Sequence, residues 1–322
     1  MTALLEISEL EVGFPMGSGL LGMVTGRRDR IIAVAGVSLT VEAGTTFAIV
    51  GESGSGKTTL ARAVNGLVSA GAGSIRFEGQ ELLGLSEAAF KPLRRQIAMM
   101  FQDPVGSLSP RLTVGALLQE PFRIHGLADR DLGAEVERLL ALVGLPPGFA
   151  ARYPHQLSGG QARRVGVARA LALEPRLIIA DEPTAGLDVS VQGEILNLMN
   201  ELQERLGIAI LIITHNLHVV RHVAHHMAIM YLGRVVEEGA TERIFAHPRH
   251  PYTLALLSAN PKPDPDAIGK PLALEGEIPS LLSRPKGCEF HTRCPFAQPR
   301  CREERPLLQD HDDRLAACHF PV

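Results

Sequence analysis

The chain has 322 residues, of which 45% are hydrophobic, and a formal net charge of -3 at pH 7. This combination excludes an intrinsically disordered chain, because such chains pair low hydrophobicity with high net charge. Aromatic residues make up only 4% and Trp is absent, so a nucleic-acid surface built on base-stacking aromatic side chains is not expected.

The first residues do not have the pattern of a secretory signal. Glu6, Glu9 and Glu11 lie where such a signal carries basic residues followed by an apolar stretch, so export is not expected. The most apolar stretch, LGIAILIITHNL, has about a dozen residues, short of the roughly 20 that a membrane-spanning helix requires.

In chain order, the first predicted elements are strands and one helix. Residues 4–13 and 31–50 are rich in β-branched and aliphatic residues, and TTFAIV runs directly into a glycine-rich loop. TTLARAVNGL has helical spacing, and Gly66 is placed to end that helix.

Later elements alternate between strand and helix. RLIIAD and IAILIIT are short apolar runs typical of strands buried on both faces. Between them, a predicted helix places five apolar side chains on one face: Ile195, Leu196, Met199, Leu202 and Leu206. Alternation of this kind predicts a parallel α/β sheet, which residues 116–156 interrupt with a mostly helical pattern.

GESGSGKTT, residues 51–59, fits the Walker A phosphate-loop pattern. The backbone N–H groups of such a loop surround the phosphates, Lys57 reaches the terminal phosphates, and Thr58 offers a hydroxyl to Mg²⁺. The predicted nucleotide-binding residues here are Gly51, Ser53, Gly54, Ser55, Gly56, Lys57, Thr58 and Thr59.

Two acidic residues follow the strand LIIA. Asp181 and Glu182 fit a Walker B arrangement, in which Asp181 holds Mg²⁺ through its water shell and Glu182 polarises the attacking water. Alone, such a pair would more simply cap the end of a strand. The phosphate loop upstream favours the catalytic interpretation.

LSGGQ, within residues 153–171, makes the sequence similar to the ATP-binding cassette (ABC) proteins. It follows the phosphate loop by about a hundred residues and, as the entry to a helix, offers a second anion site. The resemblance implies a head-to-tail dimer in which this motif closes over ATP held by the other subunit. Its residues are Ser158, Gly159, Gly160 and Gln161.

The resemblance also assigns roles to several single residues. Gln102 matches the Q-loop, which contacts Mg²⁺ and the attacking water, and Asp188 matches the D-loop at the subunit boundary. His215 matches the switch histidine that contacts the γ-phosphate, although Asn216 replaces the Asp that often follows it. Phe14 is the expected adenine-stacking residue, despite an insertion from Pro15 to Arg30.

The resemblance implies an α/β fold of the P-loop NTPase class. Its ABC cassette has a RecA-like parallel sheet core, an antiparallel β part and a helical subdomain, here about 116–165. We expect the nucleotide-binding domain at 1–247 and a C-terminal, cysteine-containing extension at 248–322. Prolines are concentrated in this last part of the chain, with ten of 22 between Pro248 and Pro299.

Within the ABC proteins, the sequence looks like the oligopeptide, dipeptide and nickel importers. FQDPVGSLSPRLTVG, HPRHPYTLALL and the cysteine-bearing tail carry this likeness. It implies an ATPase subunit held peripherally at the cytoplasmic face of the membrane. Its partners would be a second ATPase subunit, identical or paralogous, two permease subunits bound near residues 86–125, and indirectly an extracytoplasmic solute-binding protein.

All four cysteines lie in the last thirty-five residues: Cys288, Cys294, Cys301 and Cys318. With no export signal, disulfides are not expected and metal ligation is the first interpretation. Four thiolates suit a [4Fe–4S] cluster or tetrahedral Zn²⁺, and four free thiols are the alternative. The close C-x2-4-C pairs of zinc sites are absent, and relatives in this subfamily are associated with a cluster, so the cluster is favoured.

The predicted function is ATP- and Mg²⁺-dependent hydrolysis that drives uptake of di- and oligopeptides. The same ATPase could serve another solute, such as a nickel chelate, glutathione or an opine-like compound. Two other classes remain as alternatives: an ABC ATPase that acts on nucleic acid, for which the expected basic surface is not visible, and a redox-sensing module in which ATP only sets conformation.

Overall fold

A computed structural model describes residues 2–15, 30–101, 103, 106–127, 129–259, 272, 274–311 and 314–322. Gln102 and the insertion after Pro15 therefore lie outside the described residues. The chain divides into two units. Unit 1 comprises Met1–Leu4, Val41–Phe47 and Gly84–Ile213, and unit 2 comprises Leu5–Thr40, Ala48–Leu83 and Thr214–Val322.

The strands and helices alternate along most of the chain. The strands are β1 (Ala3–Pro15), β2 (Arg30–Glu42), β3 (Thr46–Val50), β4 (Ala72–Phe77), β5 (Gln80–Glu81), β6 (Ile97–Met100), β7 (Leu177–Asp181), β8 (Ala209–Thr214), β9 (His226–Tyr231), β10 (Arg234–Ala240), β11 (Gln309–Asp310) and β12 (Leu315–Ala316). The α-helices are α1 (Lys57–Val64), α2 (Glu87–Phe90), α3 (Val114–Ile124), α4 (Leu132–Leu142), α5 (Gly159–Leu171), α6 (Val189–Leu206), α7 (Leu217–Val223), α8 (Thr241–Ala246), α9 (Pro251–Ser258) and α10 (Pro299–Glu303). Short 3₁₀ helices span Leu93–Arg95, Pro147–Ala151 and Pro154–Gln156.

The parallel sheet of unit 1 contains β6, β7 and β8. β7 pairs with both neighbours in parallel, and Asp181 at its end is opposite Ile213. Every residue of β7 and β8 is buried, as expected of parallel strands covered on both faces. The carboxyl end of this sheet therefore presents the residues that follow β7.

Three helices of unit 1, α3, α4 and α5, pack against one another. The side chain of Thr113 caps α3 by accepting a hydrogen bond from Ala116 N, and that of Asp131 caps α4 by accepting from Gly133 N and Ala134 N. Helix α6 buries Ile195 and the other apolar residues of its predicted face except Leu206. Leu206 is 44% exposed, because it is the last residue before the left-handed Gly207 that ends the helix.

Unit 2 contains an antiparallel sheet in the strand order β2-β1-β4-β5. The pairing of β1 with β4 shifts register between Ser8 and Glu11, which marks a bulge. Helix α1 ends as predicted near Gly66, where the N–H of Leu67 bonds to Arg62 O at 2.8 Å. Together with the bond from Gly66 N to Ala63 O, this forms a Schellman motif.

The cysteine-bearing end of the chain belongs to unit 2. There β3, β9, β10, β12 and β11 follow one another in a sheet, with β12 antiparallel to β10. A buried aromatic group, Tyr231, Tyr252 and Phe290, joins strand β9 to the C-terminal segment, with ring centroids 4.8 to 5.3 Å apart. In the ranges that the structure describes, no helix is long and apolar enough to cross a membrane.

Candidate functional site

The predicted phosphate loop connects β3 to α1 in unit 2. Lys57, the first residue of α1, is 7% exposed, and its Nζ donates to the carbonyl oxygens of Gly51 and Glu52, both at 2.8 Å. The same nitrogen lies 3.2 Å from Ser55 Oγ, to which it also donates. The loop is therefore folded around the ammonium group, and Ser53 and Gly54 at its tip are exposed.

Two glycines allow this loop to lie against the backbone of neighbouring strands. A Cβ on Gly51 would lie 2.2 Å from the carbonyl oxygen of Met230, and a Cβ on Gly56 would lie 2.2 Å from that of Ala33. Gly56 also has φ +97°, a conformation that other residues rarely adopt. Thr58 and Thr59 follow in the first turn of α1.

The predicted acidic pair follows the parallel sheet of unit 1. Asp181 is the last residue of β7 and only 3% exposed. Glu182 has φ +50°, and its backbone N–H donates to Ile213 O at 2.8 Å. A left-handed conformation at a residue other than glycine is strained and is typical of functional sites.

The LSGGQ motif forms the N-terminus of α5 in unit 1. Ser158 Oγ accepts a hydrogen bond from Gln161 N at 3.3 Å, while Gln161 Oε1 accepts one from Ser158 N at 3.1 Å. This reciprocal pair is a capping box, so both residues fix the start of the helix. Ser158 and Gly159 are exposed. A Cβ on Gly160 would lie 2.7 Å from a methyl group of Val191, so a larger residue here would require Val191 to shift.

Arg163, one turn further along α5, was not predicted as a site residue. Its side chain is buried, with a residue exposure of 5%, and it donates to Ala185 O at 2.5 Å and to Glu182 O at 3.4 Å. Burial lowers the pKa of its guanidinium. The contact joins the helix that follows LSGGQ to the turn that follows Glu182. Arg163 is adjacent to Arg164 in the sequence, and nothing in the pattern distinguishes the two.

We expect Arg163→Met to lower the melting temperature of the protein by about 3–5 °C, because two carbonyl oxygens lose a charged donor at a cost of about 2–3 kcal/mol. Differential scanning calorimetry measures the shift. Arg205→Met is the control: Arg205 pairs with Glu201 on the exposed surface of α6, and such pairs contribute little. Equal shifts in the two variants would contradict this role.

The remaining predicted residues occupy ends of elements. Asp188 caps α6 by accepting from Val191 N at 3.0 Å, and His215 is exposed directly after β8. Asn216 caps α7 by accepting from His218 N at 3.0 Å, which gives it a structural role independent of charge. Phe14, near the end of β1, is 39% exposed.

The four cysteines line one small cavity of about 10 Å³ in unit 2, together with His291 and His319. None of the four forms a disulfide. Burial, together with the neighbouring cysteines, raises the pKa of the Cys288 thiol to about 12 and that of the Cys318 thiol to about 11. Within the described ranges, no group of three or more His, Cys, Asp or Glu side chains is placed as a metal site.

Comparison with known proteins supplies the family. The family described as "ABC transporter" matches residues 34–185, and that described as "Oligopeptide/dipeptide transporter, C-terminal region" matches residues 236–301. The "Oligopeptide transport ATP-binding protein OppF" of Salmonella typhimurium is 44% identical, over 98% of this chain and 95% of its own length. The chain belongs to the ABC transporter ATP-binding proteins of the oligopeptide type.

Further similarities agree with this membership. The "Di/tripeptide transport ATP-binding protein DppF" of Pseudomonas aeruginosa is 46% identical over 90% of each chain. The solved "Dimeric structure of a post-hydrolysis state of the ATP-binding cassette MJ0796 bound to ADP and Pi" covers 74% of this chain and 98% of its own, with 27% identity and a TM-score of 0.64. The predicted P-loop ABC cassette fold is therefore confirmed, and the protein is an ABC ATPase.

The two matched regions contain most of the predicted motifs. Residues 34–185 of the ABC ATPase include the phosphate loop, LSGGQ and the acidic pair. Residues 236–301 include Cys288, Cys294 and Cys301, whereas Cys318 lies beyond the matched region.

Proposed function

We propose that this ABC ATPase hydrolyses ATP to drive uptake of di- and oligopeptides. The observation that carries the proposal is the match of residues 236–301 to the oligopeptide/dipeptide transporter C-terminal region. Relatives named for oligopeptide transport match nearly the whole chain at 43–45% identity, which supports the same solute class.

The phosphate loop and the acidic pair supply the chemistry of hydrolysis. Lys57 and Thr58 would hold the terminal phosphates and Mg²⁺, and Gln102 and Asp181 would complete the metal's surroundings. Glu182 would polarise the attacking water. Its position directly after the last residue of β7, in a strained backbone conformation, supports that role.

The ABC ATPase would work as a head-to-tail dimer with a paralogue or a second copy. Ser158 to Gln161 would complete the ATP site of the partner subunit, and His215 would contact the γ-phosphate. The exposure of Ser158 and Gly159 at the N-terminus of α5, an anion-binding end of a helix, supports this arrangement. Asp188 would lie at the subunit boundary, and Phe14 would stack on adenine.

Two permease subunits would anchor the dimer peripherally at the cytoplasmic face of the membrane. We assign their binding surface to residues 86–125, where α2 and α3 frame a stretch with exposed Phe101. The solute-binding protein would act from the opposite face and deliver the peptide. Residues 1–247 would form the nucleotide-binding domain and 248–322 an extension.

Peptide uptake by cells tests the proposed solute directly. A strain that lacks this chain should lose uptake of radiolabelled di- and tripeptides, and the wild-type gene should restore it while Lys57→Ala should not. Uptake of a nickel chelate or glutathione that depends on the gene, with peptide uptake intact, would instead assign another solute.

The four cysteine side chains are suitable ligands for iron or zinc, because thiolates bind both metals. Four thiols line one cavity. Burial raises the pKa of three of them, Cys288, Cys294 and Cys318, so as thiolates these three need a nearby cation to offset burial. The cavity itself, at about 10 Å³, has room for about one water-sized sphere, so the thiols would have to separate to hold a cluster. We propose that the four cysteines hold a [4Fe–4S] cluster, with Zn²⁺ as the alternative, in a structural or regulatory role.

We expect protein purified without oxygen to contain about four iron atoms and four sulfide ions per chain and to absorb broadly at about 400 nm. Cys301→Ser should lose most of the iron. His319→Asn is the matched control, because His319 lines the same cavity but belongs to no proposed ligand set. One zinc per chain would favour the alternative, and protein free of both metals would contradict the proposal.

A further inference from the structure

The part of the chain from Cys288 to Cys318, here called the cysteine-bearing segment, contacts the phosphate loop through Arg293. Arg293 Nη1 donates to Glu52 Oε2 at 2.7 Å and Nη2 donates to Glu52 Oε1 at 3.1 Å, which is a bidentate ion pair. The two side chains are 8% and 25% exposed, respectively. Glu52 is the second residue of GESGSGKTT, so a charge 241 residues away is fixed to the ATP-binding loop.

A second contact fixes the backbone of the same residue. The N–H of Glu52 donates to Tyr252 Oη at 3.0 Å, and Tyr252 is fully buried in α9. Its ring packs against Tyr231 and Phe290, with centroids 4.8 and 5.3 Å away. The hydroxyl therefore has a fixed position from which to accept the loop's N–H.

These contacts reach Lys57 through one residue. Glu52 O accepts a hydrogen bond from Lys57 Nζ at 2.8 Å, so the peptide units on either side of Glu52 are fixed at one end by Tyr252 and at the other by Lys57. Because Glu52 is fixed, the free loop has fewer conformations available, and it loses less conformational entropy when it binds phosphate. Such preorganisation lowers the free-energy cost of binding.

Arg293 is itself held by the segment that carries the cysteines. Its N–H donates to Phe290 O at 3.0 Å, and it lies in the turn between Cys288 and Cys294. Both cysteines pack against the aromatic core that contains Tyr252 and Phe290. The packing of this segment therefore sets where Arg293 and Tyr252 meet the loop.

We propose that Arg293 and Tyr252 are positioning residues of the phosphate loop, through which the cysteine-bearing segment sets the affinity for nucleotide. This inference rests on the proposed function. Neither residue is assigned contact with ATP. Their removal should therefore weaken nucleotide binding while the rate at saturating ATP changes little.

The test measures Mg-ATP binding by calorimetry in a Glu182→Gln background, and kcat and KM in the wild-type background. Arg293→Ala should raise Kd and KM about tenfold, a size typical of coupling between sites. The kcat should stay within about twofold. Tyr252→Phe, which keeps the ring and removes the acceptor, should raise both constants about threefold.

Two further variants separate positioning from simple stabilisation. The exchange Glu52→Arg with Arg293→Glu should recover most of the affinity, whereas each single change should not. Arg293→Lys should retain more affinity for Mg-ATP than Arg293→Ala but less than the wild type, because an ammonium group cannot form the bidentate pair. Arg300→Ala is the matched control: Arg300 forms a bidentate pair with Glu304 of the same geometry, 2.7 and 3.1 Å, on the exposed surface of the segment.

The outcomes are distinct. Unchanged Kd and KM in Arg293→Ala, with a lowered melting temperature, would overturn the proposal. The ion pair between Arg293 and Glu52 would then only stabilise the fold. A tenfold effect in Arg300→Ala would overturn it equally. A wild-type protein that binds no Mg-ATP would instead contradict the proposed function, and with it this inference.

Discussion

Replacing Glu182 by Gln should abolish ATP turnover while ATP binding remains. The substitution removes the carboxylate that is proposed to polarise the attacking water, a contribution of about 10²- to 10⁴-fold, and leaves Lys57 and Thr58 unchanged. Gln has nearly the same shape as Glu, so the substitution changes the charge and leaves the size of the side chain almost unchanged. Release of phosphate and binding of labelled ATP measure the two effects separately.

The same variant should also accumulate as an ATP-bound dimer, because in the proposed head-to-tail arrangement the subunits would separate only after hydrolysis. Size-exclusion chromatography with ATP detects this state. Glu194→Gln, an exposed carboxylate on α6 paired with Arg164, is the control and should hydrolyse ATP at the wild-type rate. Undiminished hydrolysis in Glu182→Gln would refute the assignment of the base.

Replacing Lys57 by Ala should weaken Mg-ATP binding about 100-fold, which corresponds to about 2.7 kcal/mol. Lys57 donates to two carbonyl oxygens of the loop and to Ser55, so the variant would lose both the proposed phosphate contact and the group around which the loop folds. Isothermal titration calorimetry with Mg-ATP measures the change in Kd.

Lys91→Ala is the comparison for this second variant, because Lys91 is exposed at the end of α2. It should bind Mg-ATP as the wild type does. Circular dichroism distinguishes a lost binding site from a lost fold. A folded Lys57→Ala protein with wild-type affinity would show that GESGSGKTT does not bind nucleotide.

The motifs predicted the fold class because each motif requires particular secondary structure around the residues that carry its chemistry. The phosphate loop demands a strand before it and a helix after it, and β3 and α1 are found there. Glycines at 51 and 56 were expected for phosphate binding, and the structure adds that neighbouring carbonyl oxygens leave no space for a Cβ. Continuous apolar runs correctly predicted β7 and β8.

Contacts between distant residues could not be predicted in this way. Arg163 and Arg293 resemble the other arginines in the sequence, and only the fold brings them to Ala185 O and Glu52. The sequence did not predict that Gln161 and Asn216 cap helices, because both lie in or beside motifs that were interpreted as nucleotide-binding. In the first, Ser158 and Gln161 satisfy each other's backbone N–H groups.

Peptide-stimulated ATP hydrolysis distinguishes a peptide importer from an ATPase that acts on nucleic acid. The ABC ATPase would be reconstituted with its partner ATPase and both permease subunits in lipid vesicles, with the solute-binding protein added in excess. We predict that a di- or tripeptide raises the rate of phosphate release, that Glu182→Gln abolishes the response, and that DNA or RNA has no effect. A rate that peptide leaves unchanged and nucleic acid raises would show that the protein is not the ATPase of a peptide importer.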